Sequence, residues 1–250
     1  MEDDLLLAVE KPAGLHVFPS SSDSQDSVLS RLLPERPRLS EIGDARAPAF
    51  VHRLDRSTSG LLLAAKTQAA YDTLREAFSG GRVQKEYLAL AEGCLQGRVE
   101  VDVALGARYR RSKRVSVCSG DRPLRGVRPA RTIVEEIAQA DGFTLCRVKT
   151  FTGFRHQVRA HLAHLGHTLA GDDLYGATRD VSGLKDQFFL HAWLIELLHP
   201  GDGRRLRLVC PLPRAKKQVL SSAGLLNAYN HFLSEHAHSM PTPLDHLSEG

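Results

Sequence analysis

The stretch VHRLDRSTSGLLLAAKT, residues 51–67, decides how this chain is read. It crowds His52, Arg53, Asp55 and Arg56 together, passes through Ser57, Thr58 and Ser59, and runs into Leu61-Leu62-Leu63-Ala64-Ala65. The apolar run, bounded by Gly60 and Lys66, predicts a buried strand over 60–66. Thr67 then predicts a helix N-cap, with Ala70, Leu74, Ala77 and Phe78 at helical spacing and Gly80-Gly81 as the stop. Asp55 therefore stands at the mouth of a buried strand, fenced by arginines. A carboxylate there is costly unless something pairs with it. It is either half of a structural salt bridge or a group with chemistry to perform.

Outward from this stretch, strand signals outnumber helix signals. Residues 5–9 predict a first strand, ended by EKPAGLHVFP (10–19), where Pro12 and Gly14 force a turn. Residues 20–48 predict a surface connection with one short helix near 27–33. VQKEYLALAEG (83–93) and RVEVDVAL (98–105) alternate like half-buried strands. ARTIVEEI (130–137), FTLCRVKT (143–150), FFLHAWLIELLHP (188–200) and RLRLVCPLP (205–213) predict further strands. HQVRAHLAHLGH (156–167) predicts a helix with Val158, Leu162 and Leu165 on one stripe and Gly166 at its stop. The order predicts an α+β fold: a mixed, largely antiparallel sheet with flanking helices. Residues 1–213 are expected to form one domain. Residues 214–250 are expected to add one amphipathic helix over 215–233 and a mobile polar tail.

The 250 residues are 42% hydrophobic and 25% charged, ample for a substantial core. Cys94, Cys118, Cys146 and Cys210 are scattered and read as reduced thiols. The acidic start MEDDLLLAVEKPAG lacks the basic flank of a signal peptide, and no stretch is long enough for a membrane span. A cytoplasmic monomer with no membrane partner is expected. Net charge is only +4, yet RYRRSKR (108–114) concentrates five cations around one Tyr. That run is a solvated loop or a phosphate grip for nucleic acid.

Several chemistries are excluded by their missing motifs. Neither GxGxxG after a strand nor GxxxxGK[ST] occurs, so no nucleotide cofactor is expected, and there is no GxSxG elbow. His156, His161, His164 and His167 lack the i, i+4 spacing with a carboxylate that a helical metal site needs, and no metal is expected.

VHRLDRSTSG resembles the HRLD motif of the RluA-type pseudouridine synthases, which isomerise uridine to pseudouridine in RNA. The resemblance continues in order: EKPAGLHVFP resembles the family's KPxG segment, KEYLAL (85–90) its KxY strand, TGFRHQVRAHLAHLGHTLAGDDLYG (152–176) its TGxxHQxRxHL…GDxxYG segment, and LHAWLIELLHP (190–200) its closing strand. Five motifs in order over residues 5–213 make a specific signal. The S4-type domain common in the family is not expected here. Arg155 stands one place from the cation that many members carry, and Ser57 replaces a frequent acid.

The resemblance implies that Asp55 is the catalytic aspartate, Tyr87 the pocket tyrosine and Arg159 the basic partner of Asp55. A nearby guanidinium keeps a partly desolvated carboxylate ionised and oriented. Arg159 lies off the Val158–Leu162–Leu165 stripe and is expected to leave the core. No cofactor is implied. The target uridine of ribosomal or transfer RNA must be flipped out of its stack. Arg53 is expected to fill the vacated place, with Arg56, Arg108, Arg110, Arg111, Lys113, Arg114 and Arg155 as further RNA contacts. A non-catalytic RNA-binding protein of the same fold and a histidine-cluster metallohydrolase are the competing readings.

Overall fold

The computed structural model describes residues 1–19, 26–110, 112–118, 123–179, 181–184 and 187–236, with the backbone of 245–246. In chain order the elements begin with β1 (Leu6–Lys11), α1 (Val28–Leu32), β2 (Gly43–Asp44), β3 (Ala47–Pro48), β4 (Ser59–Ala65) and α2 (Gln68–Ser79). There follow β5 (Gln84–Glu92), β6 (Arg98–Asp102), β7 (Leu105–Ala107), β8 (Ser116–Val117), β9 (Arg125–Arg128), β10 (Arg131–Ala140), β11 (Phe143–Thr150) and α3 (Gln157–His164). The chain closes with β12 (Leu190–Leu198), β13 (Arg205–Val209), α4 (Arg214–Ser222), α5 (Leu226–His236) and β14 (Asp245–His246). This is the expected α+β class, with mixed sheet and flanking helices. None of the described helices is long and apolar enough to cross a membrane.

The chain divides into two compact units. The first holds Met1–Gln84, Ala192–Pro211 and Ser239–Gly250. Its β1 pairs antiparallel with β4, Leu6 facing Ala65 and Lys11 facing Gly60. β12 pairs antiparallel with β13, and β14 lies parallel to β1. Every residue of β4 is buried, as the apolar run predicted. Thr67 caps α2 by accepting the Ala70 N–H at 3.2 Å, and Ser27 caps α1 in a reciprocal capping box with Ser30.

The second unit holds Lys85–His191 and Leu212–His238. Its sheet runs β5-β11-β10-β6, each pair antiparallel, and a small sheet runs β8-β7-β9. Val158 and Leu162 of α3 pack with Ala89, Val134, Cys146 and Val148 in one apolar cluster, with Leu165 partly buried beside it. That is the predicted stripe. None of the four cysteines forms a disulfide, and burial pushes the Cys146 thiol up to about 12.

Two expectations need correction. RVEVDVAL is two strands, β6 and β7, with Val103 and Ala104 between them; the Val103 carbonyl faces His161 Nε2 at 3.0 Å instead of joining a ladder. The stretch 215–233 is two helices. At Gly224 (φ +69°) the N–H turns to the Ser221 carbonyl at 3.2 Å and Leu225 N–H to Leu220 at 2.8 Å, which closes a Schellman stop. The tail expectation falls largely on residues 237–244 and 247–250, outside the described residues.

Candidate active site

In the first unit the site grows from the turn that carries Asp55. Two anchors hold its base. Val51 N–H donates to Leu63 O at 3.2 Å, and Arg75 of α2 donates to Val51 O at 2.9 Å. His52 accepts the Leu63 N–H on Nε2 at 3.0 Å and stacks on Phe78 with ring centroids 4.8 Å apart. An N–H pointing at Nε2 leaves the ring proton on Nδ1. Leu54 plugs into the core at 6% exposure, while Arg53 and Arg56 on either side stay exposed. Asp55 is half-buried, and its carbonyl accepts the Thr58 N–H at 3.1 Å to close the turn.

The KPAG turn is fastened to the same place. Lys11 is fully buried, and its Nζ donates to Pro12 O at 2.8 Å, Leu15 O at 2.7 Å and Arg56 O at 2.9 Å. Gly14 N–H donates to the same Arg56 carbonyl at 2.9 Å, and Arg56 Nε returns a bond to Gly14 O at 2.9 Å. Burial pushes the Lys11 ammonium down to about 7, with the Asp55 carboxylate pulling the other way. The residue after Asp55 is thus the point where the two segments are tied.

In the second unit Gln157 organises the loop before α3. Its Oε1 accepts from Thr152 Oγ1 at 2.8 Å and from Phe154 N–H at 3.1 Å; its Nε2 donates to Arg131 O and Thr132 Oγ1, both at 3.0 Å. Thr132 Oγ1 also meets His161 Nδ1 at 2.9 Å, and burial lowers the His161 pKa. Lys85, 8% exposed, donates to Thr152 O at 3.0 Å, and burial pushes it down to about 8. Tyr87 follows on β5, half-buried opposite Val148 and packed on the apolar cluster.

Arg159 does not leave the core. It is 6% exposed, and its Nε and a terminal nitrogen each meet the Asp172 carboxylate at 2.7 Å. Its guanidinium lies 4.3 Å from the Phe188 ring centroid and 4.9 Å from that of Tyr175. The helical stripe missed this because an arginine with a bidentate carboxylate and aromatic neighbours is stable inside. Asp172 is placed by its own loop: its carbonyl accepts the N–H groups of Tyr175, Gly176 and Ala177 at 3.0–3.1 Å. Gly171 (φ +80°) is required beside it, since a Cβ there would stand 2.3 Å from the Gln187 carbonyl oxygen.

The basic run is fixed to this unit at two points. Tyr175 OH accepts the Val115 N–H at 3.1 Å and donates to Val115 O at 3.2 Å. Arg155 donates to Ser112 O at 2.6 Å. Arg114 lies over the Tyr175 ring at 4.8 Å, while Arg108, Arg110 and Lys113 are exposed; Arg111 lies outside the described residues. Burial pushes the Tyr175 phenol up to about 12, which removes it as a base near neutrality. Three of the four clustered histidines have separate occupations, while His164 is exposed: His156 Nδ1 meets Tyr175 OH, His161 is spanned by Thr132 and Val103, and His167 Nδ1 meets Glu92 O.

The sequence matches the model of the RNA pseudouridylate synthase family over residues 5–164. The chain belongs to that family. Among its relatives, the ribosomal large subunit pseudouridine synthase D of Nitrosomonas europaea is 37% identical over 218 residues, covering 85% of this chain and 61% of the relative. The enzyme of the same name from Zymomonas mobilis is 33% identical over 222 residues, covering 85% of this chain and 68% of the relative. The chain therefore spans about two thirds of the length of the pseudouridine synthases it matches. Human RNA pseudouridylate synthase domain containing 1 shares the fold, with a TM-score of 0.70 at 24% identity over 97% of this chain and 95% of that one.

Within this family frame Lys11, Lys85, Gln157, Asp172 and Tyr175 are the residues that sequence reasoning quoted without assigning a part. A lysine ending an apolar strand, as Lys11 does, and a glutamine opening a helix were the available signals.

Proposed function

We propose that this chain is an RNA pseudouridine synthase that isomerises a specific uridine of ribosomal or transfer RNA, with Asp55 as the essential carboxylate. The observation that carries the reading is the fastening of the Asp55 turn through Arg56 O to Lys11 and Gly14. It puts a half-buried carboxylate on a rigid mount beside a buried cation, which suits a group that must stay ionised while partly desolvated.

The reaction breaks the C1′–N1 glycosidic bond, rotates the uracil and forms C1′–C5. The proton leaves C5 and N1 ends protonated, so the balance needs no cofactor. Asp55 acts by attack on C1′ or by taking the C2′ proton; either route needs it ionised. Tyr87 stacks on the base and takes the C5 proton in the last step. Arg159 serves as the basic partner of Asp55, with its guanidinium oriented by the Asp172 carboxylate. Arg53, exposed beside Asp55, occupies the place of the flipped base, and Arg56, Arg155 and the basic run hold phosphates. The protein acts as a monomer in the cytoplasm.

The test is tritium release from RNA labelled at uridine C5. The wild type is expected to release tritium and form pseudouridine; Asp55→Asn is expected to bind RNA, stay folded and release none. Turnover by the purified variant would remove Asp55 from its role. RNA binding with no release by the wild type on any RNA would leave a non-catalytic binding protein.

A further inference from the structure

Charge along the chain is strongly uneven. Residues 104–130 carry eight arginines and lysines against Asp121 alone, in a chain of net charge +4, so the remainder is net acidic. A polyanion is the partner that such a segment attracts. At its centre the backbone forms a closed turn. Tyr109 N–H donates to Ser112 Oγ at 2.8 Å, and Ser112 N–H donates to Tyr109 O at 3.1 Å. The Arg155 bond to Ser112 O and the paired bonds of Tyr175 with Val115 hold this turn from beneath.

What the turn presents is a ring. Tyr109 is 68% exposed, more than any other large apolar side chain among the described residues, and the exposed Arg108 and Arg110 flank it. The other aromatic rings of this region are treated differently. Phe151 lies under Arg131, Phe154 under Arg128 and Tyr175 under Arg114, at 4.6, 5.1 and 4.8 Å. Holding a backbone turn costs conformational entropy, and a ring left in water returns nothing to folding. An aromatic face between two cations is the arrangement that takes a nucleic-acid base, because every base has a π-face and a phosphate on each side.

We propose that Tyr109 is a base-stacking residue: its ring takes the face of an unpaired RNA base near the modified uridine, while Arg108 and Arg110 hold the adjoining phosphates. This rests on the reading of the chain as an RNA-modifying protein. It adds a contact that depends on the base being unpaired, since a paired base offers no free face.

The test uses the full chain and a stem-loop RNA with fluorescent pyrrolo-cytosine in its loop. The expected result is quenching by the wild type and loss of quenching by Tyr109→Ala, with affinity weaker by about 5- to 150-fold. Tyr109→Phe keeps the ring and is expected to bind as the wild type does. The slope of log affinity against log salt should not change in Tyr109→Ala, which removes no charge, but should flatten in Arg110→Gln. Equal binding by Tyr109→Ala, or an equal loss in Tyr109→Phe, overturns the proposal. Its failure is distinct from failure of the catalytic reading: a wild type that forms no pseudouridine defeats that reading and leaves the binding comparison intact.

Discussion

Replacing Lys11 with Met keeps most of the side-chain volume and removes the ammonium, and the geometry sets what is lost. Three bonds of 2.7–2.9 Å go from Nζ to the carbonyls of Pro12, Leu15 and Arg56. Bonds from a charged donor are worth about 1.5–3 kcal/mol each, or roughly 4–9 kcal/mol together. Against them stands the desolvation that brings the ammonium from its ordinary 10.5 down to about 7. At about 1.4 kcal/mol per unit that opposition is roughly 5 kcal/mol. The two sides largely offset, so global stability of Lys11→Met at neutral pH should fall by no more than about 4 kcal/mol. The local loss is not offset. Arg56 O, one peptide from Asp55, loses the bond that ties it to β1, and a shift of about 1 Å at a reacting group costs about 10²-fold in rate.

The assays are urea unfolding and single-turnover tritium release at saturating RNA. Lys11→Met is expected to unfold cooperatively yet react at least about 10²-fold more slowly. A folded Lys11→Met with the wild-type rate would refute the idea that this lysine holds the Asp55 turn. The pH dependence supplies a second readout. Folding lowers the Lys11 pKa, so the unfolded chain binds more protons between about 7 and 10.5. Stability from this group is therefore lowest below about 7 and rises with pH through that window, by up to about 1.4 kcal/mol per unit. Lys11→Met should lack that rise.

Asp172→Asn should destabilise the protein by about 3–5 kcal/mol in chemical denaturation, because it strips charge from the partner of a buried guanidinium. The double variant Arg159→Met/Asp172→Leu should lose less than either single change; a loss equal to the two singles added would contradict the pairing. Tyr87→Phe keeps the stacking ring and removes the hydroxyl, so RNA affinity should hold while product formation stalls after glycosidic cleavage. Wild-type product rates in Tyr87→Phe would show that only the ring matters.

The parts of the fold that were legible in the sequence are those where one local signal dominates. The run 61–65 has no polar residue to compete with burial, and Thr67 with Gly80-Gly81 brackets α2 at both ends. The errors arose where a local pattern was overruled. Alternation across 98–105 continues through Val103, but His161 takes that residue's carbonyl and the ladder breaks. The amphipathic pattern of 215–233 runs through Gly224, where a left-handed stop is available to the backbone and the helix takes it. Periodicity records which faces are apolar; it does not record which backbone groups find partners elsewhere.

The same limit explains the site. Asp55, Tyr87 and Arg159 were nameable because each lies in a motif, but the residues that position their surroundings act through contacts far along the chain. Lys11 reaches Arg56 across 45 positions, and Lys85 reaches Thr152 across 67. Gln157 returns to Arg131 and Thr132, 26 and 25 positions back. A buried lysine or glutamine must satisfy its donors, and in this chain the acceptors are mostly loop carbonyls that no hydropathy pattern marks. Each such bond fixes a loop that would otherwise be free to move. The motif letters around the candidate catalytic residues are therefore explained as anchors: KPxG, KxY and TGxxHQ each contribute a buried polar side chain that ends on the backbone of a loop within its own unit. Arg159 fits the same account from the other direction. Its stripe position suggested a side chain reaching out, whereas Asp172, Tyr175 and Phe188 hold it in place, so its orientation is set before any RNA binds. Preorganised charge costs no rearrangement when a reaction develops its own, and that property suits the part proposed for Arg159.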